Sequence, residues 1–288
     1  MKCLTWNIQW GKGEDGRVDL DRIAAVVRRQ EVDLVCLQEV CRNFPANTGS
    51  AEPDQVAGLR RRLPDYALEF GPAVDLRIEG QVCQFGNLTL SRWPVLAVVH
   101  HALPRPSVAG LDAQRAALEL LIDGPWGPLR AINLHLEYYA PAARQAQAAY
   151  LLERHRDAVA WAQQPIGQAN TDPTPMRTLP RPMSTLLCGD FNGPPDDPAL
   201  RHLLTEAATT AAPLHDAWRW RYPEQPHPRT LGLHTPGRDP TEAQCFDYFL
   251  LTEDLARRVQ TLDSDPLCAA SDHQPLWLTL ADERTPRS

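Results

Sequence analysis

The stretch Thr185-Leu186-Leu187-Cys188-Gly189-Asp190-Phe191-Asn192-Gly193 decides how this chain is read. A short apolar run, the mark of a buried strand, gives way to a glycine, a carboxylate and an amide. Strand ends on a rigid scaffold are where proteins present functional groups. The same arrangement recurs along the chain. Asn7 follows Leu4-Thr5-Trp6, and Gln38 and Glu39 follow Leu34-Val35-Cys36-Leu37. His135 and Glu137 end Ala131-Ile132-Asn133-Leu134, and Asp247 stands in Cys245-Phe246-Asp247-Tyr248-Phe249. Asp272 and His273 precede Leu276-Trp277-Leu278.

Amphipathic helices separate these strands. Leu20, Ile23, Ala24 and Val27 fall on one face and predict a helix over 20–30, capped by Asp19. A second helix is predicted over 51–63, ended by Pro64. A long one is predicted over 141–162, with Pro141 at its first position, and another over 198–207. Strands are predicted over 3–8, 32–38, 66–70, 84–90 and 95–101, with turns at Gly86 and Trp93-Pro94. A hairpin over 115–122 and 129–136 follows, then strands over 185–188, 245–251, 259–263 and 276–280. Residues 164–183, rich in Pro, Thr and Gln, read as an exposed, mobile loop. The segment 218–241 reads as irregular. Strands that are neither all hairpins nor strictly alternating with helices indicate an α/β or α+β layered fold.

The bulk composition narrows the function. The chain has 288 residues, 43% hydrophobic and 23% charged, as ordinary globular proteins do. No apolar run approaches the roughly 20 residues that span a bilayer, and the N-terminus does not read as a signal peptide. A cytoplasmic location is expected. Seven cysteines, an odd number without any CxxC pair, read as buried thiols rather than a zinc cluster. The net charge of −7 shows no global basic face of the kind a duplex-DNA binder carries. Arg60-Arg61-Arg62 is the densest basic run, and it reads as a solvated helix face.

The strand-end residues suit phosphate ester hydrolysis. Glu39, Asp272 and the Asn7 amide offer the hard oxygen donors that Mg²⁺ or Mn²⁺ takes. Asp190 can position or deprotonate a water. His135 and His273 can donate hydrogen bonds to charge developing on phosphate oxygens. Asp247 can orient His273 and favour its protonated form. Singly, each residue has a plainer explanation as a turn, a cap or a core polar group. Together and in this order they do not.

In that order, Thr5-Trp6-Asn7, Leu37-Gln38-Glu39-Val40, Leu134-His135-Leu136-Glu137, Gly189-Asp190-Phe191-Asn192, Phe246-Asp247-Tyr248 and Ser271-Asp272-His273 resemble the successive motifs of the endonuclease/exonuclease/phosphatase superfamily. Gly86 to Pro94 also resembles that family's strand–turn segment. The resemblance implies a four-layer α/β sandwich, two packed mixed sheets flanked by helices, as one domain over 1–283 with a flexible loop at 164–183 and a tail at 284–288. It implies Glu39 as principal metal ligand, helped by Asn7 and Asp272. It places Asp190 and Asn192 on the nucleophilic water and a phosphate oxygen. Asp247 and His273 become a phosphate-contacting pair, and His135 supports the transition state or the leaving group.

His135 stands where abasic-site endonucleases of the family usually carry tyrosine. The His-Leu-Glu form is similar to tyrosyl-DNA phosphodiesterases of the second type, sphingomyelinases and deoxyribonucleases. The expectation is therefore a Mg²⁺- or Mn²⁺-dependent phosphodiesterase, a monomer, acting as a nuclease or on DNA ends. The alternatives are a small-molecule or lipid-headgroup phosphoesterase, or a binding protein on a dead scaffold. Trp218, Arg219, Trp220, Arg221, Tyr222 and Arg229 interleave aromatic and basic groups, as surfaces that hold single strands do. Tyr138, Arg219, Trp220, Arg229 and His234 are the expected substrate contacts.

Overall fold

A computed structural model describes residues 1–48, 52–107, 113–235, 237 and 239–282. The expected tail at 284–288, the domain boundary at 283 and the expected helix start at residue 51 lie outside the described residues. Two parallel crossovers organise the chain. In the first, β1 (Lys2–Asn7) leads through α1 (Leu20–Arg29) to β2 (Leu34–Arg42), and β1 pairs parallel with β2. Asp19 caps α1 by accepting hydrogen bonds from the amides of Asp21 and Arg22, and Leu20, Ile23, Ala24 and Val27 are its buried face. A short α2 (Pro45–Thr48) and α3 (Gln55–Arg62) follow. α3 starts later than expected because Asp54, not an earlier residue, accepts the capping bond from Ala57.

β3 (Ala67–Ile78), β4 (Gln81–Ser91), β5 (Val95–Ala102), β6 (Ala116–Gly124) and β7 (Gly127–His135) continue antiparallel. Gly86 does not form the expected turn. It lies inside β4, where a Cβ would stand 2.2 Å from the Gly71 carbonyl oxygen, so only glycine allows β3 to approach. The second crossover runs from β7 through α4 (Pro141–Ala162) to β8 (Thr185–Asp190), again parallel. The remaining elements are α5 (Pro198–Ala207), β9 (Leu214–Asp216), α6 (Ala217–Arg221), β10 (Asp247–Thr252), α7 (Glu253–Ala256), β11 (Val259–Ser264) and β12 (Leu276–Leu280).

The strands form two six-stranded mixed sheets, ordered β11-β12-β1-β2-β4-β3 and β5-β6-β7-β8-β10-β9. Their facing surfaces bury Cys3, Leu34, Cys36, Leu118, Leu120, Cys188, Phe249 and Leu278. The opposite face of the first sheet buries Leu4, Trp6, Val35 and Leu37 under Ile23, Val27 and Leu59 of α1 and α3. That of the second buries Ile132, Leu134 and Leu187 under Leu151, Leu152, Leu200 and Leu203 of α4 and α5. The result is the expected four-layer α/β sandwich. Each sheet places its parallel pair near its centre, so the C-terminal ends of β1, β2, β7 and β8 meet at one edge. The antiparallel neighbours β10 and β12 begin at that same edge.

Residues 164–183 contain no regular element and are tied by their own hydrogen bonds, among them Asn170 N to Thr178 Oγ1 at 2.9 Å and Thr178 N to Asn170 O at 2.8 Å. No helix among the described residues is long and apolar enough to cross a membrane. The seven cysteines are free and buried.

Candidate active site

The strand edge gathers one focal atom. Asp190 Oδ2 lies 2.9 Å from Asn7 Nδ2, 3.4 Å from His135 Nε2 and 3.6 Å from His273 Nε2. Gly189 puts Asp190 there. It pairs with Leu134 across the parallel strands at φ +145, and a Cβ would fall 1.9 Å from the Leu134 carbonyl oxygen. The chain then turns at Asn192, whose φ is +52. Asn192 N–H donates to Asp190 Oδ1 at 2.9 Å, and its side-chain amide donates to the Leu136 carbonyl at 2.8 Å. Left-handed backbone at a non-glycine residue is strain that the surroundings must hold.

Glu39 arrives by a second irregularity. The β2–β4 register runs Leu37 to Leu88 and resumes at Val40 to Gly86, so Gln38 and Glu39 together oppose one residue of β4. Such a bulge re-aims a side chain, and Glu39 sits in it at φ +59. Gln38 points into the sandwich, donating to Asn133 Oδ1 at 2.7 Å, while Glu39 accepts from Asn7 Nδ2 at 3.2 Å. Asn7 Oδ1 turns the other way and accepts from Gln9 N–H at 3.0 Å. Gln9 also donates through Nε2 to Asp272 Oδ2 at 2.9 Å. Ser271 Oγ donates to the Asn7 carbonyl at 2.8 Å, fixing the loop of Asp272 against β1.

His273 Nδ1–H donates to Asp247 Oδ2 at 2.8 Å, and its Nε2 faces Asp190. Burial disfavours charge on this imidazole, but the Asp247 and Asp190 carboxylates outweigh it and raise its pKa to about 10. Asp247 is held in turn by the strand ladder and by its own N–H, which donates to Thr230 Oγ1 at 3.2 Å. His135 is driven the opposite way. Burial, then the Arg115 guanidinium and His273, lower its pKa well below the usual value. Arg115 Nη1 lies 3.0 Å from His135 Nε2 and 3.3 Å from Nδ1. One imidazolium and one neutral imidazole thus flank the same carboxylate, the kind of split that marks acid and base sites.

Asp190, Asp247 and His273 present donor atoms within 4.8 Å of one another, as a metal site can. Their charge is already balanced in part by the imidazolium, whereas at Glu39 the like charge of Asp272 outweighs the more weakly acting His273 and Arg115 cations. Burial and then Asp272 push the Glu39 pKa up to about 7. That pair is the better place for a hard divalent cation.

The raised pKa values of Glu39 and His273 make the stability of the metal-free protein fall as pH rises. For Glu39, stabilisation is full below about 4.5 and is lost as pH rises through about 7. For His273, it is full below about 6.5 and is lost as pH rises through about 10. Both fall between pH 6 and 8.5. Metal-free protein should therefore melt several degrees lower at pH 8.5 than at pH 6, at roughly 2–4 °C per kcal/mol. Calorimetry in chelator would contradict this with a flat or rising melting temperature.

Sequence reasoning placed Asn7, Glu39, His135, Asp190, Asn192, Asp247, Asp272 and His273 at this edge, and the structure brings them together. Gln9 and Arg115 went unnoticed, because only tertiary contact distinguishes them, and the hydroxyls of Ser271 and Thr230 gain roles that their motifs alone do not assign. Tyr138 lies at the rim, 52% exposed. His234 follows a run that pairs beside His273 through Leu231, and its Nε2–H donates to the Pro266 carbonyl at 2.7 Å. Arg229 precedes Thr230, near Asp239. The aromatic–basic segment behaves differently. Trp218, Trp220 and Tyr222 pack against the inter-sheet core, where α6 lies along β9, β10 and β11. Arg219 donates to the carbonyls of Pro223 and Gln225. The apolar need of an open sandwich side explains these aromatics without a substrate.

A model of the Endonuclease/Exonuclease/phosphatase family matches residues 4–273. The chain belongs to that family. Its members are phosphoester hydrolases. Among solved structures, an endonuclease/exonuclease/phosphatase from Beutenbergia cavernae is 25% identical with a TM-score of 0.68, covering 98% of this chain and 72% of its own. A mannosyl-6-phosphatase from Bacteroides thetaiotaomicron is 14% identical with a TM-score of 0.64, covering 98% of this chain and 99% of its own. A truncated Caenorhabditis elegans TDP2 is 17% identical with a TM-score of 0.63, covering 97% and 96%. The latter two likenesses concern the fold alone. A search of curated protein sequences finds no match.

Proposed function

We propose that this chain is a Mg²⁺- or Mn²⁺-dependent phosphodiesterase that acts on nucleic acid, as a nuclease or at DNA ends. The observation that carries the reading is the single oxygen of Asp190 set among one amide and two oppositely protonated imidazoles. Burial raises the pKa of Asp190, which makes its carboxylate a stronger base for an attacking water. Asn7 holds that carboxylate in place through its 2.9 Å hydrogen bond. His273, charged and anchored by Asp247, donates to a non-bridging phosphate oxygen as negative charge builds there. His135, kept neutral, supports the transition state from the other side.

Glu39 and Asp272 would hold the cation, with the Asn7 amide beside them. The fit rests on their like charges, since the Asp272 carboxylate adds to burial in raising the Glu39 pKa. A bound divalent ion supplies charge neutralisation and polarisation of the phosphate. The net charge of −7 and the packed state of the Trp218–Tyr222 aromatics support a second reading, a small-molecule phosphoesterase. In that reading the mannosyl-6-phosphatase likeness points to a sugar phosphate.

The deciding assay incubates the protein with Mg²⁺ or Mn²⁺ and with single-stranded DNA, duplex DNA, dinucleotides and sugar phosphates. Cleavage of DNA or dinucleotides that EDTA abolishes is expected. Hydrolysis of sugar phosphates with all nucleic acid untouched would replace the first reading by the second.

A further inference from the structure

Tyr138 and Tyr139 are the exposed aromatic pair of the site rim, at 52% and 57% exposure. They follow β7 immediately after His135-Leu136-Glu137, and they stand edge to face with ring centroids 5.1 Å apart. The Tyr138 ring lies 6.5 Å from that of Phe246, the residue before Asp247. The pair therefore sits between the two strand ends that carry His135 and Asp247.

Its backbone is unusually well tied for an exposed turn. Glu137, fully buried, accepts from Tyr139 N–H at 2.7 Å and from Ala113 N–H at 2.8 Å. Arg144 Nη1 donates to the carbonyls of Glu137 at 2.8 Å and Tyr138 at 3.2 Å. Arg144 is itself fixed by Asp197 at 2.8 Å. Two large rings kept in water on a fixed turn lose burial without saving disorder. That combination suits a flat partner, because a rigid aromatic gives contact area at little entropic cost.

We propose that Tyr138 and Tyr139 form a stacking platform for a nucleobase adjoining the scissile phosphate, so that the substrate class is a nucleotidyl phosphodiester. The inference rests on the phosphodiesterase reading and narrows it. Stacking on an aromatic tolerates any base, so the platform gives affinity for bases without sequence preference. Phe246, tilted against Tyr138, sets that ring beside the strand end of Asp247.

The test uses a dinucleotide containing 2-aminopurine and its counterpart lacking that base. The base's fluorescence falls when it stacks. Wild-type protein should quench it and bind the dinucleotide roughly tenfold or more tightly than the base-free form. Tyr138→Ala and Tyr139→Ala should relieve the quenching and remove that preference, while Tyr138→Phe keeps both. KM for the dinucleotide should rise with kcat little changed. Equal binding of the two ligands by wild type, or an alanine variant that keeps both quenching and preference, overturns the platform. If base-dependent binding is seen but no diester is hydrolysed with Mg²⁺ or Mn²⁺, the platform stands and the phosphodiesterase reading falls.

Discussion

Glu39→Gln should reduce metal-dependent turnover by at least about a thousandfold while making the metal-free protein more stable at pH 8. The two effects have one cause. Glu39 is a largely enclosed carboxylate in a strained bulge, with the Asn7 amide as its hydrogen-bond partner among the described residues and the Asp272 charge nearby. Its pKa is pushed up to about 7, so holding it ionised above that pH costs the fold up to about 3 kcal/mol without a cation. Glutamine keeps the shape and the acceptor for Asn7 but carries no charge, so that cost disappears. The same neutral amide is a poor ligand for a hard dication, and a site that neutralises phosphate charge loses several kcal/mol of transition-state stabilisation. Melting curves with and without Mg²⁺ complete the test. Wild type should gain stability from Mg²⁺ at pH 8, and the variant should gain little. Turnover that survives in the variant with its metal dependence unchanged would remove Glu39 from the site.

Much of the fold was readable from local pattern, and the reasons differ by element. The apolar face of α1 and its Asp19 cap are adjacent in sequence, so both are legible without any tertiary contact. Strand β12 and helix α4 follow the same logic and keep their expected bounds. The strand-end polar groups were legible because a carboxylate or imidazole after a buried strand violates the apolar pattern. The bulge at Glu39 was not, since it depends on β4 pairing with one residue fewer than β2 supplies. Arg115 was invisible for a related reason. An arginine before a strand is ordinary until the fold buries it against His135. Trp218 to Tyr222 misled in the other direction. Aromatics alternating with arginines look alike whether they stack on a ligand or plug the open side of a sandwich, and only the neighbouring β9, β10 and β11 decide.

The Asp247–His273 pair gives the second large effect. His273→Ala and Asp247→Ala should each lower kcat by about 10²–10³-fold, the usual loss when one preorganised donor to developing charge is removed. The double variant should lose hardly more than either alone. Asp247 reaches the reaction only through His273, by the 2.8 Å bond to Nδ1 that orients the ring and keeps it charged. Without Asp247 the buried imidazole loses its first attractive charge, and burial then favours the neutral form. Without His273, Asp247 is a carboxylate with nothing to orient. Groups that act as one unit are strongly non-additive. Asp247→Asn offers a finer cut. It retains a hydrogen-bond acceptor but no charge, so the alkaline limit of the kcat–pH profile should move down from near 10 toward neutrality while activity at lower pH partly survives. Fully additive losses in the double variant, or an unchanged alkaline limit in Asp247→Asn, would mean that His273 holds its proton by Asp190 alone, 3.6 Å away.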